Sequence, residues 1–261
     1  MGASKAAETA LAGRVAIVTG ASRGIGAAIA RRLAKDGLQV ALVARTPEAV
    51  ESLASELGGM AVTADVTAKG ASEAILQQVE ARLGPPSVLV PNAGIEVSHK
   101  LAATSDEAWD RAMTTNATAV FRLCRAAIPG MVERGYGRVV VVASTAALVG
   151  YAYTAAYCAS KHAVVGLVKA IAMEIATSNV TINAVCPGFV DTPMTDRSVA
   201  RIVEKTGRDA AAAKEALAKT SPQQRLFAPD EVAHLVAALL APAARGINGQ
   251  AIAISGGGVH G

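Results

Sequence analysis

RVAIVTGASRGIG, residues 14–26, decides how the rest of the chain is read. Arg14 to Thr19 is a short run rich in β-branched residues and reads as a strand. Gly20-Ala21-Ser22-Arg23-Gly24-Ile25-Gly26 follows, and a helical pattern then runs to Lys35 and Gly37. Strand, glycine loop and helix in that order is the setting in which such a loop holds phosphate. Glycines let the backbone approach a pyrophosphate, and a helix starting near Gly24 offers free N–H groups and a positive dipole end. Gly20, Ser22, Arg23, Gly24, Ile25 and Gly26 are therefore candidate phosphate-side residues. The competing reading is a plain tight turn between strand and helix.

Working outward, Gln39 to Ala44 is a second strand. A carboxylate at its end would hold a free ribose 2′-hydroxyl, but the chain continues Ala44-Arg45-Thr46. With Arg23 in the glycine loop, Arg45 gives two guanidiniums suited to a 2′-phosphate, which favours NADP(H) over NAD(H). As an alternative, Arg45 is a solvated turn residue. Further strands are expected at Met60 to Ala64, Ser87 to Pro91, Gly137 to Ser144, Val180 to Cys186 and Gln250 to Ile254, with helical stretches between them. The strands are apolar on both faces, as in a parallel sheet covered on each side. The fold expected is α/β: a single domain, doubly wound, with seven parallel strands and helices on both faces. Ligands of such sheets bind beyond the strand carboxyl ends. Gly20, Arg45, Asp65, Asn92, Ser144 and Pro187 all fall there. Asp65 either accepts from an adenine amino group or caps a helix before Val66 and Thr67.

Composition narrows the function classes. With 261 residues, 52% hydrophobic and 18% charged, the chain can bury one large core. The formal charge of +4 comes without any Lys/Arg run, which argues against nucleic acid and mildly favours anionic small molecules. Cys124, Cys158 and Cys186 are widely spaced in apolar contexts, and the four histidines lack metal spacing, so neither disulfides nor a metal site is expected. No apolar run is long enough for a membrane span, and the first twelve residues lack the apolar core of a secretory signal or a myristoylation pattern. A cytoplasmic protein is expected, with a flexible tail over 1–12 and one domain over 13–261. Residues 192–220, with an Ala-rich helix former at Asp209 to Lys219, are long for a connection and are expected to form a lid. A solvated surface helix is the alternative.

Chemistry concentrates in Ser144 to Lys161. Tyr157 and Lys161 lie four apart on an expected helix from Tyr157 to Thr177, hence on one face. A free phenol titrates at about 10, too high for a proton donor at neutral pH. A cation at about 4 Å is worth roughly 4 kcal/mol at an effective dielectric of about 20, enough to close the gap. Lys161 is thus expected to make Tyr157 acidic, with the Ser144 hydroxyl steadying a carbonyl oxygen. On those two residues alone, a surface Tyr and Lys on an amphipathic helix is the favoured reading, because the pattern is short and common, and only the rest of the chain displaces it.

Taken together these residues resemble the short-chain dehydrogenase/reductases, from about Arg14 to Gly258. TGxxxGxG stands at Thr19 to Gly26, the adenine-side acid at Asp65, NAG at Asn92 to Gly94 and the Ser–Tyr–Lys set at Ser144, Tyr157 and Lys161. The helix asparagine stands at Asn116, on a helix expected over Trp109 to Arg134, and Pro187-Gly188 with Thr192 matches the nicotinamide-side loop. The resemblance implies a Rossmann fold and hydride transfer between NADP(H) and a carbonyl or alcohol carbon. Tyr157 would be the acid, Lys161 would lower its pKa and hold the nicotinamide ribose, Ser144 would orient the carbonyl, and Asn116 would hold a water. Val66, Ala93, Gly94, Val190 and Thr192 join the implied cofactor contacts. A homotetramer is implied too. Pro91 replaces the first Asn of the family's NNAG, and Ile95-Glu96-Val97 replaces the glycine pair of polyketide ketoreductases. The likeness is otherwise nearest to 3-oxoacyl-thioester reductases. A small carbonyl or acyl-thioester substrate follows, with alcohol oxidation in the same site, or a non-catalytic NADP(H)-binding sensor, as the alternatives.

Overall fold

The computed structural model describes residues 11–259. Seven strands form one sheet: β1 Val15–Thr19, β2 Gln39–Ala44, β3 Met60–Thr63, β4 Val88–Val90, β5 Gly137–Val142, β6 Val180–Pro187 and β7 Ala251–Ile254. Their order is β3-β2-β1-β4-β5-β6-β7 and every pairing is parallel. The order reverses between β1 and β4, and a crevice opens beyond their carboxyl ends. β1, β4, β5 and β6 are buried throughout, which is why they read as continuous apolar runs.

Helices cover both faces: α1 Gly24–Lys35, α2 Pro47–Leu57, α3 Ala71–Leu83, α4 Asp106–Met113, α5 Ala119–Glu133, α6 Ala155–Glu174, α7 Pro193–Thr206, α8 Ala210–Ala218 and α9 Pro229–Leu240. Helix α2 shows how local sequence fixes an element. Pro47 opens it, where no backbone donor is missed, and Gly58 closes it in the left-handed region at φ 62°. One core cluster joins α3, α5 and α6 to one face of the sheet, through side chains such as Ile75, Leu123 and Val168. The other joins α1, α2 and α9 to the opposite face, through Ile29, Leu53 and Val236.

Four sequence expectations change. The helix expected over Trp109 to Arg134 is broken by a π-turn at Thr114–Thr118, which carries Asn116. The extra residue per turn lets the Asn116 side chain reach across to Ile95, and such bulges occur often at functional sites. The segment 192–220 contains two helices, α7 and α8, where one helix former was visible. β5 stops at Val142, because the Ser144 hydroxyl turns back to accept from Ala146 N at 3.1 Å. β4 stops at Val90, since Pro91 has no N–H to extend the ladder, although its carbonyl still accepts from Val142 N at 2.9 Å. Residues 1–10 of the expected tail lie outside the described residues, and Leu11 packs against the core.

The amino-terminal edge of the sheet has its own fastening. The Arg14 guanidinium lies 3.5 Å from the centroid of the Tyr136 ring, and that of Arg138 lies 4.6 Å from it. Buried Arg138 also donates to the carbonyls of Gly137 (2.8 Å) and Asn179 (2.9 Å).

Candidate active site

A cleft of about 980 Å³ opens at the carboxyl ends of the strands, near the upper end of the range for small-molecule sites. Its lining takes in the loops after β1 to β6 and the start of α7.

The glycine loop forms its floor beside β1. Gly20 sits at φ 65°, where only glycine is unstrained. A Cβ on Gly26 would lie 2.3 Å from the Gly20 carbonyl oxygen and 2.5 Å from Asn92 Nδ2. The loop therefore folds against its own helix with no room for a side chain. Asn92 and Thr19 clip the ends of β4 and β1 together: Thr19 Oγ1 accepts from Asn92 N (3.0 Å) and Ala93 N (3.1 Å), while Asn92 Nδ2 donates to Thr19 O (2.8 Å). Arg23 and Arg45 are exposed at the same end, and among the described residues neither has an ion-pair partner. A backbone cradle a Cβ would fill, with two unpaired guanidiniums beyond it, fits a dinucleotide carrying an extra phosphate. Asp65 does not cap a helix, the alternative its sequence left open. Its Oδ1 accepts from Thr67 N (2.9 Å) and Thr67 Oγ1 (2.7 Å), an Asx turn with no helix directly behind it. Those bonds hold its carboxyl below the usual range, and Arg45 adds to the effect.

Ser144, Tyr157 and Lys161 line the other half of the cleft, as do Asn92, Ala93, Gly94, Pro187, Gly188, Val190 and Thr192. Ser144 stands just past β5, while Tyr157 and Lys161 share one face of α6. Lys161 Nζ donates to the Val142 carbonyl at 3.2 Å and lies 5.8 Å from the centroid of the Tyr157 ring. Asn116 is not on the cleft wall. It is buried behind it, accepting from Ile95 N (2.9 Å) and donating to Ile95 O (3.0 Å) and Ser160 Oγ (3.0 Å). Both its amide hydrogens are thus spent on fixing the loop after β4 to α6.

The electrostatics correct the simplest expectation. Burial pushes the Tyr157 phenol up to about 12. A hydrogen bond from Ser144 pulls the other way, and the negative Glu96 adds to the rise. Burial also pulls the Lys161 ammonium down to about 8. Burial leads both shifts, and neither group figures among the causes of the other's. Lys161 alone does not make this phenol acidic.

Sequence reasoning missed other wall residues. Tyr151, Tyr153, Ser198 and Arg201 all line the cleft. Tyr153 holds a left-handed backbone at φ 68°, its carbonyl accepting from His99 N at 2.8 Å. Glu96, visible in the sequence only as a departure from a glycine pair, pairs with Arg201 at 2.6 Å. Nothing in the local sequence marks that pairing, because 105 positions separate the two residues along the chain (201 − 96). Among the described residues no His/Cys/Asp/Glu group has metal-holding geometry.

Comparison with known proteins places this geometry. The family model described as short chain dehydrogenase matches residues 14–202. A Streptomyces coelicolor protein provisionally assigned as a ketoacyl reductase is 41% identical over 250 residues, covering 93% of this chain and 96% of its own. The 3-oxoacyl-acyl-carrier-protein reductase FabG of Vibrio cholerae is 37% identical, covering 95% and 98%. A crystal structure of a point variant of actinorhodin polyketide ketoreductase with NADPH superposes with a TM-score of 0.91 at 40% identity, covering 94% of this chain and 97% of that one.

Proposed function

Because the chain belongs to the short-chain dehydrogenase family, we propose that it is an NADPH-dependent carbonyl reductase acting on 3-oxoacyl thioesters. The observation that carries this reading is the convergence of Ser144, Tyr157 and Lys161 with the glycine loop and Arg45 on one cleft. The names of the similar proteins, a FabG reductase and an NADPH-bound polyketide ketoreductase, supply the substrate class.

NADPH, when bound, supplies the hydride to the carbonyl carbon. Gly20, Gly24 and Gly26 would cradle its pyrophosphate, with Ser22 and Ile25 beside them. Arg23 and Arg45 would hold the 2′-phosphate. Asp65 and Val66 would flank the adenine, and Asn92 to Gly94 with Pro187, Gly188, Val190 and Thr192 would border the nicotinamide side. Ser144 holds the carbonyl oxygen by hydrogen bond. Tyr157 passes its phenolic proton to that oxygen as the hydride arrives, so the ketone gains two hydrogens and becomes a secondary alcohol. A phenol held at about 12 stays protonated and poised to give, and it needs a nearby positive charge to give easily. Lys161 supplies part of that charge and Asn116 fixes the loop that shapes the site.

Two exposed apolar side chains support assembly with further copies, which this reading takes to be a homotetramer. Phe121 on α5 and Met173 on α6, the latter 79% exposed, lie on the pair of helices that would pack against another copy. A second reading, oxidation of a secondary alcohol in the same cleft, is favoured by one relative. The D-beta-hydroxybutyrate dehydrogenase of Rhizobium meliloti is 32% identical over 94% of this chain. The intact Ser–Tyr–Lys set weighs against a non-catalytic sensor.

The test is NADPH consumption with acetoacetyl-CoA, compared with 3-hydroxybutyryl-CoA and NADP⁺, and repeated with Tyr157→Phe. Reduction is expected, with a loss of about 100-fold or more in the variant. Undiminished turnover in Tyr157→Phe would overturn the mechanism.

A further inference from the structure

The lid and the loop after β4 meet at a three-residue cluster. Glu96 Oε2 accepts from Ser198 Oγ at 2.5 Å and pairs with the Arg201 guanidinium at 2.6 Å. Arg201 in turn donates to Ser198 Oγ at 3.1 Å. The Glu96 side chain is 18% exposed and that of Arg201 33%, so the pair is partly shielded from water. Ser198 and Arg201 are one helical step apart on α7, presenting both donors to one carboxylate.

Both sides of this contact are held by further contacts of their own. The loop is fixed by Asn116, which binds both the N–H and the carbonyl of Ile95, the residue before Glu96, and continues to Ser160 on α6. Hydrogen bonds from Ser160 through Asn116 to Ile95, one step of backbone to Glu96, and the Glu96 contacts therefore link the helix carrying Tyr157 and Lys161 to the lid. The lid has its own small core, in which Val199 of α7 packs with Ala213 and Leu217 of α8, apart from the two large clusters. Phe189 and Leu226, which flank the lid at either end, complete that core, and the Glu96 carboxylate ties α7 to the loop after β4.

We propose that Glu96 is a positioning residue for the reaction, tethering α7 to the Asn116-fixed loop so that the lid closes over the keto substrate. This rests on the thioester-reductase reading above. The tether also reaches the reacting proton, since the Glu96 charge is among the influences that hold the phenol protonated. The other groups facing the phenol are Ser144 beyond β5, Cys158 and Lys161 on α6, and Cys186 on β6. Those facing the Glu96 carboxylate are Ser198 and Arg201. Lys100, Arg111, Arg197 and Lys205 line the same cleft.

The experiment compares Glu96→Gln and Glu96→Asp with the parent. In Glu96→Gln the charged pair is lost. The KM for acetoacetyl-CoA is expected to rise about tenfold, as for one charge-assisted hydrogen bond, while the NADPH Kd is unchanged. The alkaline limb of kcat moves to lower pH, because a negative neighbour of the phenol is gone. Glu96→Asp keeps the charge, so its alkaline limb stays at the parent's pH while KM takes an intermediate value. Hydrogen exchange over residues 193–206 in the NADPH complex is faster in Glu96→Gln. That readout needs no turnover, so it tests the tether even in a protein that reduces no thioester. A Glu96→Gln protein with parental KM, alkaline limb and exchange would overturn the proposal. So would an equal loss of NADPH affinity, which would mark general damage.

Discussion

Replacing Lys161 by methionine removes a buried cation whose position costs the fold free energy. Burial lowers this ammonium from 10.5 to about 8. A difference of about 2.5 units at about 1.36 kcal/mol each is roughly 3 kcal/mol. The sign follows from which state binds the proton. Below pH 8 both folded and unfolded chains carry it, and the folded chain bears the full desolvation cost. Between about 8 and 10.5 the unfolded chain holds a proton that the folded one has released, so stability rises with pH. Above 10.5 the cost is gone. Methionine fills similar space without charge. It forfeits the 3.2 Å bond from Nζ to the Val142 carbonyl, worth about 1 kcal/mol. The variant without cofactor should therefore be more stable than the parent by about 2 kcal/mol at pH 7. For a chain of this length that is a rise in Tm of roughly 4–8 °C. Turnover should be lost at the same time, a trade of activity for stability expected where a site is built from unfavourable burial. Urea unfolding of both proteins at pH 6.5, 7.5, 9 and 10 measures the difference, and taking the difference cancels the titrating groups that do not interact with Lys161. The advantage should shrink through pH 8 to 10 and reverse near the top. A variant less stable than the parent at pH 6.5, or a gap that ignores pH, would refute the reasoning.

Two further outcomes test the cofactor half. Arg45→Asp should lower the ratio of kcat/KM for NADPH to that for NADH by about 10–100-fold, the worth of a charged hydrogen bond to phosphate. Steady-state kinetics with both cofactors checks it, and an unchanged ratio would remove Arg45 from the site. Gly26→Ala places a methyl 2.3 Å from the Gly20 carbonyl oxygen, which is backbone and cannot step aside cheaply. Titration calorimetry should show NADPH affinity lower by about 100-fold or more, with a lower Tm, while parental binding would mean the loop is far more pliant than its packing implies.

The strands were legible in the sequence because a parallel sheet buried on both faces leaves continuous apolar runs. Gln39–Ala44 is found at its expected bounds, and the other strands differ by a residue or two at their ends. Most of the proposed site residues were legible because they follow strand ends, Tyr157 and Lys161 because their spacing of four puts them on one helix face, and all except Asn116 line the cleft. What stayed hidden depends on distant partners. The π-turn at Thr114–Thr118 follows from a bond between Asn116 and Ile95, and no local propensity encodes it. Helix α7 carries mixed charge and few apolar residues, yet three of its residues, Thr195, Ser198 and Val199, turn inward. The titration of Tyr157 was misjudged for a related reason. Spacing reveals the neighbouring cation but not how much water the fold removes from both groups.

Since every strand points the same way, one rim of the sheet carries the chemistry and the opposite rim carries none. On that quiet rim Tyr136 lies sandwiched between Arg14 and Arg138, joining the entrances of β1 and β5. Changes there alter how long the chain survives heating and leave the rate per folded molecule alone. Hardening the protein at that rim therefore escapes the compromise forced at Lys161.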